Sequence, residues 1–208
     1  RDHGPSLFSM NNGRAAAHGE LFFVGATSAR PFIVVSETTS IPLLATFLSK
    51  YWALPKPEVL ITVTGGAMDF ALTSAQLAAF DYGLYTAASS TNAWVVSAGS
   101  DAGVMKIVGK ALRGQSAALP LIGIFPIGVT HGREPIVASR GRRVVSYSPP
   151  PKPIGAGAKL NPDHTHFVLV DNGKEGVPAF GGEIQVRAAL EAYVAHSKGV
   201  PIVQLVVQ

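Results

Sequence analysis

"WVVSAGSDAGVMKIVGKAL", residues 94–112, is the stretch whose reading decides the fold. It passes from a β-branched apolar run through a small-residue turn into apolar residues at helical spacing. That is a buried strand, a tight turn and an amphipathic helix. Gly99, Ser100, Asp101, Ala102 and Gly103 are more small residues than a chain reversal needs. Either they only let a strand pack closely on a helix, or they leave room for a ligand against bare amides.

The same rhythm extends outward. "VLITVT" (59–64) is a near-continuous buried strand, followed by the turn "GGAMDF" and a helical pattern over 73–91. "LPLIGIFPIG" (119–128), "HFVLVDNG" (166–173) and "PIVQLVVQ" (201–208) read as buried strands, with the helix "GEIQVRAALEAYVAHS" (182–197) before the last. This alternation predicts an α/β fold, a doubly wound, mainly parallel sheet with helices on both faces. The five main strands are expected in the order 3-2-1-4-5. "ELFFVGA" (20–26), "PFIVVSE" (31–37) and the helix "SIPLLATFLSKYW" (40–52), capped by Ser40, read as an N-terminal extension. Residues 1–18 read as a tail or peripheral wrap, and 19–208 as one domain. Within it, 129–164 is a basic, Pro/Gly-rich insertion, far longer than a typical connection. Its "VVSYS" reads as a hairpin and "PPPKPIGAGAK" as a mobile linker.

Composition narrows the function classes. Of 208 residues, 47% are hydrophobic and 14% charged, which favours a compact body over a disordered one. No apolar run approaches the ~20 residues of a membrane span, so no direct membrane insertion is expected. With no cysteine, thiol chemistry and thiolate metal sites are excluded. The net charge of +4 is modest, and the cluster Arg140, Arg142 and Arg143 lacks interleaved aromatics. It reads as a solvated loop, and nucleic acid is not an expected partner.

In an open parallel sheet, ligands bind beyond the carboxyl ends of the strands, where strand order reverses. The expected order puts that reversal between the strands ending at Thr64 and Asp171. Four glycine-rich loops lie there: "TGGAMDF", "SAGSDAGV", "FPIGVTHGRE" and "VDNGKEGVPAFGGEI". Gly99, Ser100 and Gly103 suit phosphate or ribose contact, with Asp101 as helix cap and Gly109 packing on the sheet. The spacing is neither a P-loop nor the dinucleotide fingerprint. Arg133 follows the third strand. Arg187, four residues after Glu183, either makes a surface pair with it or turns a planar fork toward the crevice. Asp171 either accepts ribose hydroxyls or caps the "DNG" turn. The histidines are scattered, so no metal ligands are assigned. His166 reads as a loop-holding hydrogen bonder. No nucleophile elbow or carboxylate pair is present, so no catalytic residue is assigned.

The segments "RPFIVVSETTSIPLLATFLSKYWALPKPEVLITVTGGAMDF", "AWVVSAGSDAGVMKIVGKAL", "IGIFPIGVTHGRE" and "THFVLVDNGKEG…FGGEIQVRAALEAYV" follow one another in a known order. Together they resemble the N-terminal cytosolic homology region of melastatin-type TRP (TRPM) cation channels, the LSDAT branch of the SLOG superfamily, over about residues 30–208. The resemblance implies a Rossmann-like fold that senses nucleotide derivatives such as ADP-ribose, without a required cofactor. By motif it implies ligand contacts at Thr64, Gly65, Gly66, Gly99, Ser100, Gly103, Arg133 and Arg187. It further implies a cytoplasmic place within a larger assembly, a channel or a scaffold, whose other domains or subunits are partners. The family continues past the last strand with a second glycine turn, so the chain reads as truncated at its C-terminal end. The segment that glycosidic hydrolases of the superfamily use is missing from this sequence, and no enzyme is expected. Three readings follow: a ligand sensor, a ligand-free interaction module, and a nucleotide N-glycosidic hydrolase.

Overall fold

The computed structural model of the chain describes residues 17–113, 119–139, 143–151 and 155–207. The tail expected at 1–18 falls mostly outside these residues, as do Arg140 and Arg142. Eight strands form one sheet: β1 (His18–Phe23), β2 (Arg30–Ser36), β3 (Leu60–Gly65), β4 (Trp94–Ser97), β5 (Leu121–Pro126), β6 (Arg143–Tyr147), β7 (His166–Asp171) and β8 (Ile202–Val207). Their order is β6-β1-β2-β7-β5-β4-β3-β8. From β2 to β8 all neighbours are parallel, while β1 runs antiparallel to β2. The mainly parallel, Rossmann-like α/β architecture read from the sequence is therefore observed.

The strand order differs from the expectation. Numbered as above, the five main strands lie 4-3-2-1-5, because β7 sits beside β5 and not beside β3. A right-handed crossover fixes handedness but not the number of strands it skips. The helix between β7 and β8 has 17 residues, about 25 Å of length. The connection from β7 to β8 passes over β5, β4 and β3, four strand spacings or roughly 19 Å. The reversal therefore lies between β3 and β8. β8 itself is not buried: as an edge strand it leaves Ile202, Val203 and Val206 exposed.

The N-terminal strands are likewise not an appendage, because β2 is hydrogen-bonded into the sheet against β7. The expected hairpin at "VVSYS" is instead β6, pairing in parallel with β1 at the far edge.

Helices α1 (Ile41–Thr46), α2 (Ser74–Ser90), α3 (Gly103–Leu112), α4 (Glu134–Ala138) and α5 (Gly182–Lys198) cover both faces. α1 continues into a π-helical turn, Phe47–Tyr51. Ser40 occupies its N-cap position without a side-chain cap bond. α2 starts on a capping box in which Thr73 and Gln76 satisfy each other's backbone. On one face α1 and α5 bury Leu44, Leu48, Val186 and Leu190 against Ile33, Val96, Ile124 and Val168. On the other, α2 and α3 bury Leu84, Val104 and Val108 against Ile61, Val63 and Val95. Strict side-chain alternation along β3 places Thr62 and Thr64 toward α5, and Ile61 and Val63 toward α3.

The long segment after β5 completes the second face. Ile136, Tyr147 and Leu160 pack with Phe23, Phe32, Phe125 and Phe167. Part of the expected linker is tied into this layer: Ala158 donates to Val129, and a Cβ on Gly157 would lie 2.3 Å from the Val129 carbonyl oxygen.

Candidate functional site

β3 and β4 pair only as far as Thr62 and Val96, and beyond these residues the two strands separate. Arg187 of α5 fills the fork. Its Nη2 donates to the Thr62 hydroxyl and to the carbonyls of Val63 (3.2 Å) and Val96 (3.0 Å). Its Nε donates to Glu191 at 2.9 Å, and both side chains are largely buried. Thr62 in turn donates to the same Glu191 oxygen at 2.7 Å. The i,i+4 partner is thus Glu191, not the expected Glu183, whose carboxylate instead accepts the Gly181 amide. Nη1 makes no hydrogen bond among the described residues. Directly beyond the fork lie half-buried Thr64 and the exposed Gly65 and Gly66. A Cβ on Gly66 would meet nothing closer than 4.0 Å, so this turn borders open space.

The turn after β4 answers the question the sequence raises. Gly99 (φ +80°) and Gly123 of β5 stand with backbones in contact, and a Cβ on Gly99 would lie 2.7 Å from the Gly123 Cα. Gly103 (φ +50°) is pressed against the Gly66 carbonyl oxygen, 2.0 Å from where its Cβ would be. Ser100 is buried and bridges to Leu160. The amides at the start of α3 are already engaged: Gly103 donates to Asp69 Oδ1 (2.8 Å) and Val104 to the Gly66 carbonyl (3.1 Å). Asp69 also meets Lys106 at 3.3 Å. The Gly103 amide and Lys106 hold its carboxyl below the ordinary carboxylate range. Asp69 therefore caps α3 from another loop, whereas Asp101 accepts from Asn161. Gly109 packs on Asn161 and Asp163, not on the sheet.

Arg133 and Asp171 stand elsewhere. Arg133 donates to the Gly128 carbonyl (2.6 Å) and pairs with Glu175. That contact lowers the Glu175 carboxyl below its usual range. Asp171 is exposed and accepts the Gly173 amide at 2.8 Å, closing the "DNG" turn. β7 lies three strand spacings, roughly 14 Å, from β3. The structure places Arg187 at the fork from which Thr64, Gly65 and Gly66 lead out, and packs Gly103 against Gly66, with Gly99 and Ser100 in the turn after β4. It leaves Arg133 and Asp171 on a second rim.

Three features escaped the sequence reading. Thr62 and Glu191, which seat Arg187, carry no motif beyond spacing. Asp69 is a long-range cap. Ser97 and His164 form a fully buried pair at 2.7 Å, and the Ser97 hydroxyl also accepts the Gly99 amide. Burial pushes the His164 ring down to about 3, so it is neutral. The pair fixes the turn and has no access to a substrate. His166 meets the Thr165 hydroxyl at 2.8 Å. Among the described residues no cluster of three metal-ligating side chains occurs, and no helix is long and apolar enough to cross a membrane.

A mainly parallel sheet with glycine turns at its carboxyl edge and helices on both faces defines a Rossmann-like domain. The family model LSDAT_euk, described as "SLOG in TRPM", matches residues 30–208, and the chain belongs to that family. It is 35% identical over 92% of its length to the Nematostella vectensis transient receptor potential cation channel subfamily M member-like 2. It is 32% identical over 86% to member 2 of Rattus norvegicus, and 33% over 85% to member 6 of Homo sapiens. The match covers 14%, 12% and 9% of those proteins. The chain corresponds to a small part of each relative.

Proposed function

We propose that this chain is a cytosolic sensing domain of a TRPM-like channel, and that it takes an ADP-ribose-like nucleotide derivative at the β3 edge without catalysing a reaction. One observation supports this reading: Arg187 is fixed on three sides by Thr62, Glu191 and two strand carbonyls at the fork from which Thr64–Gly66 lead out, and its Nη1 makes no hydrogen bond among the described residues. Holding a guanidinium in one geometry costs side-chain entropy. A preset planar fork next to a glycine turn suits a phosphate oxygen. The ligand would run along Thr64–Gly66. Gly99 and Gly103 shape its wall through backbone packing. Arg133 and Asp171 would touch only a ligand long enough to reach the second rim.

The test is thermal denaturation with ADP-ribose, NAD and AMP. A ligand at a hundredfold excess over its dissociation constant stabilises the fold by about 2.7 kcal/mol. No shift with any of them at millimolar concentration overturns the sensor reading.

A second reading, a ligand-free interaction module, is favoured by a different observation. Asp69 and Glu175 already occupy the α3 N-terminus and Arg133. On that reading the chain self-associates or binds neighbouring channel segments, and nucleotides leave its melting temperature unchanged.

A further inference from the structure

At the opposite end of the sheet from the glycine turns, a pocket of about 420 Å³ opens between the edge strands and the end of α1. Its volume is that of a small-molecule site. His18, Pro31 and Phe32 line it together with Tyr51 and Trp52. The π-helical turn puts both aromatics there: the Trp52 amide reaches back five residues to the Phe47 carbonyl at 3.2 Å. Such turns recur at functional sites. The aromatic wall is braced on both sides. Tyr51 stacks on Phe47 with centroids 4.5 Å apart and takes the His18 ring edge-on at 5.5 Å. Trp52 lies 4.9 Å from the His166 ring.

Against these rings stands one carboxylate. Register pairs Glu20 of β1 with Pro31 on one side and Val144 on the other, so all three face the pocket. Glu20 is exposed and makes no ion pair among the described residues. Among the described residues no lysine or arginine lines the pocket.

Rigid aromatic faces and a lone carboxylate select for positive charge on an apolar body. We propose that this pocket binds an organic ammonium group, through the face of Trp52 turned away from His166 and the carboxylate of Glu20, with Tyr51 as part of the apolar wall. The site is independent of the nucleotide reading, since it shares no residue with the glycine turns or Arg187. The ammonium belongs either to a free small amine or to the side chain of a methylated or unmodified lysine in a peptide.

The experiment titrates the 208-residue chain with choline and, in parallel, with its neutral isostere 3,3-dimethyl-1-butanol. It is read by tryptophan fluorescence and calorimetry. Trp52 is the reporter, because Trp94, the other tryptophan, is buried and donates to the Pro55 carbonyl. The expected result is saturable binding of choline, at least tenfold tighter than the isostere. A Glu20→Gln variant with unchanged melting temperature should weaken choline about tenfold, the loss of one charge-assisted contact. A trimethyllysine peptide distinguishes the sources: tighter binding than choline identifies a peptide side chain, and equal or weaker binding a free amine. Equal affinity for choline and the isostere, no saturation of either at 50 mM, or an unaffected Glu20→Gln variant overturns the assignment.

Discussion

Replacing Gly99 by alanine tests whether the small-residue turn serves backbone packing. Gly99 has φ +80°, and its added Cβ would lie 2.7 Å from the Gly123 Cα and 3.3 Å from the Gly123 carbonyl carbon. Neither neighbour is a flexible side-chain end; both belong to the buried backbone of β5. The left-handed conformation costs a side chain about 1–2 kcal/mol. Overpacking a rigid site costs about another 1–3 kcal/mol. The total, about 2–5 kcal/mol, corresponds to roughly 5–15 °C in melting temperature for a domain of this size. The matched control is Gly66→Ala, where φ is not positive and the nearest atom is 4.0 Å away. That change should stay within about 0.5 kcal/mol. Urea denaturation followed by circular dichroism, with the slope checked for constancy, measures both variants. Gly99→Ala as stable as the parent chain, or Gly66→Ala as damaging as Gly99→Ala, refutes the reasoning.

The buried histidines set a pH dependence. Burial holds His164 at about 3 and His166 at about 4, below the ordinary 6.5. Between those values and 6.5 the unfolded chain binds more protons, so stability falls as the pH drops, by about 1.4 kcal/mol per pH unit for each ring. Urea midpoints from pH 7 to 4.5 should show this decline and a shallower slope for His166→Phe; a flat profile contradicts it. Glu191→Ala leaves Arg187 without its largely buried counter-charge and should cost about 3 kcal/mol in chemical denaturation. Glu191→Gln, which keeps an acceptor, should cost clearly less. Asp69→Ala removes the cap on Gly103 and should cost about 1 kcal/mol. Lys106→Ala alone removes only an exposed pair and should cost less than 1 kcal/mol. Equal losses for the two would show that the amide contact is not the stronger one.

The alternation of strands and helices was legible because each main strand carries β-branched apolar runs and each helix its own spacing. The helical pattern read from residue 73 starts at the observed N-cap, Thr73. Strand order was not legible. β7 pairs with β5, and Phe167 packs there against Gly123 and Gly99, a contact over long chain separation that no local pattern encodes. Arg187 was correctly singled out, yet Glu183 and Glu191 are both four residues away. The direction of the helical side chains toward Thr62 decides between them. Asp69 and Glu175 meet their partners over 34 and 42 residues of chain, beyond the reach of spacing arguments. The insertion defied pattern reading because its order comes from Tyr147 and Leu160 packing into a layer it helps to build. The Tyr147 hydroxyl donates to the His131 carbonyl and accepts the Leu160 amide.

Amide and arginine side-chain NMR shifts during an ADP-ribose titration test the central claim most directly. Saturable shifts at Thr64, Gly65, Gly66 and Arg187 Nε, with Asp171 unmoved at low occupancy, are what a pocket at the β3 fork predicts. Silence at those four residues at millimolar ligand, or shifts confined to the Arg133–Asp171 rim, would contradict it.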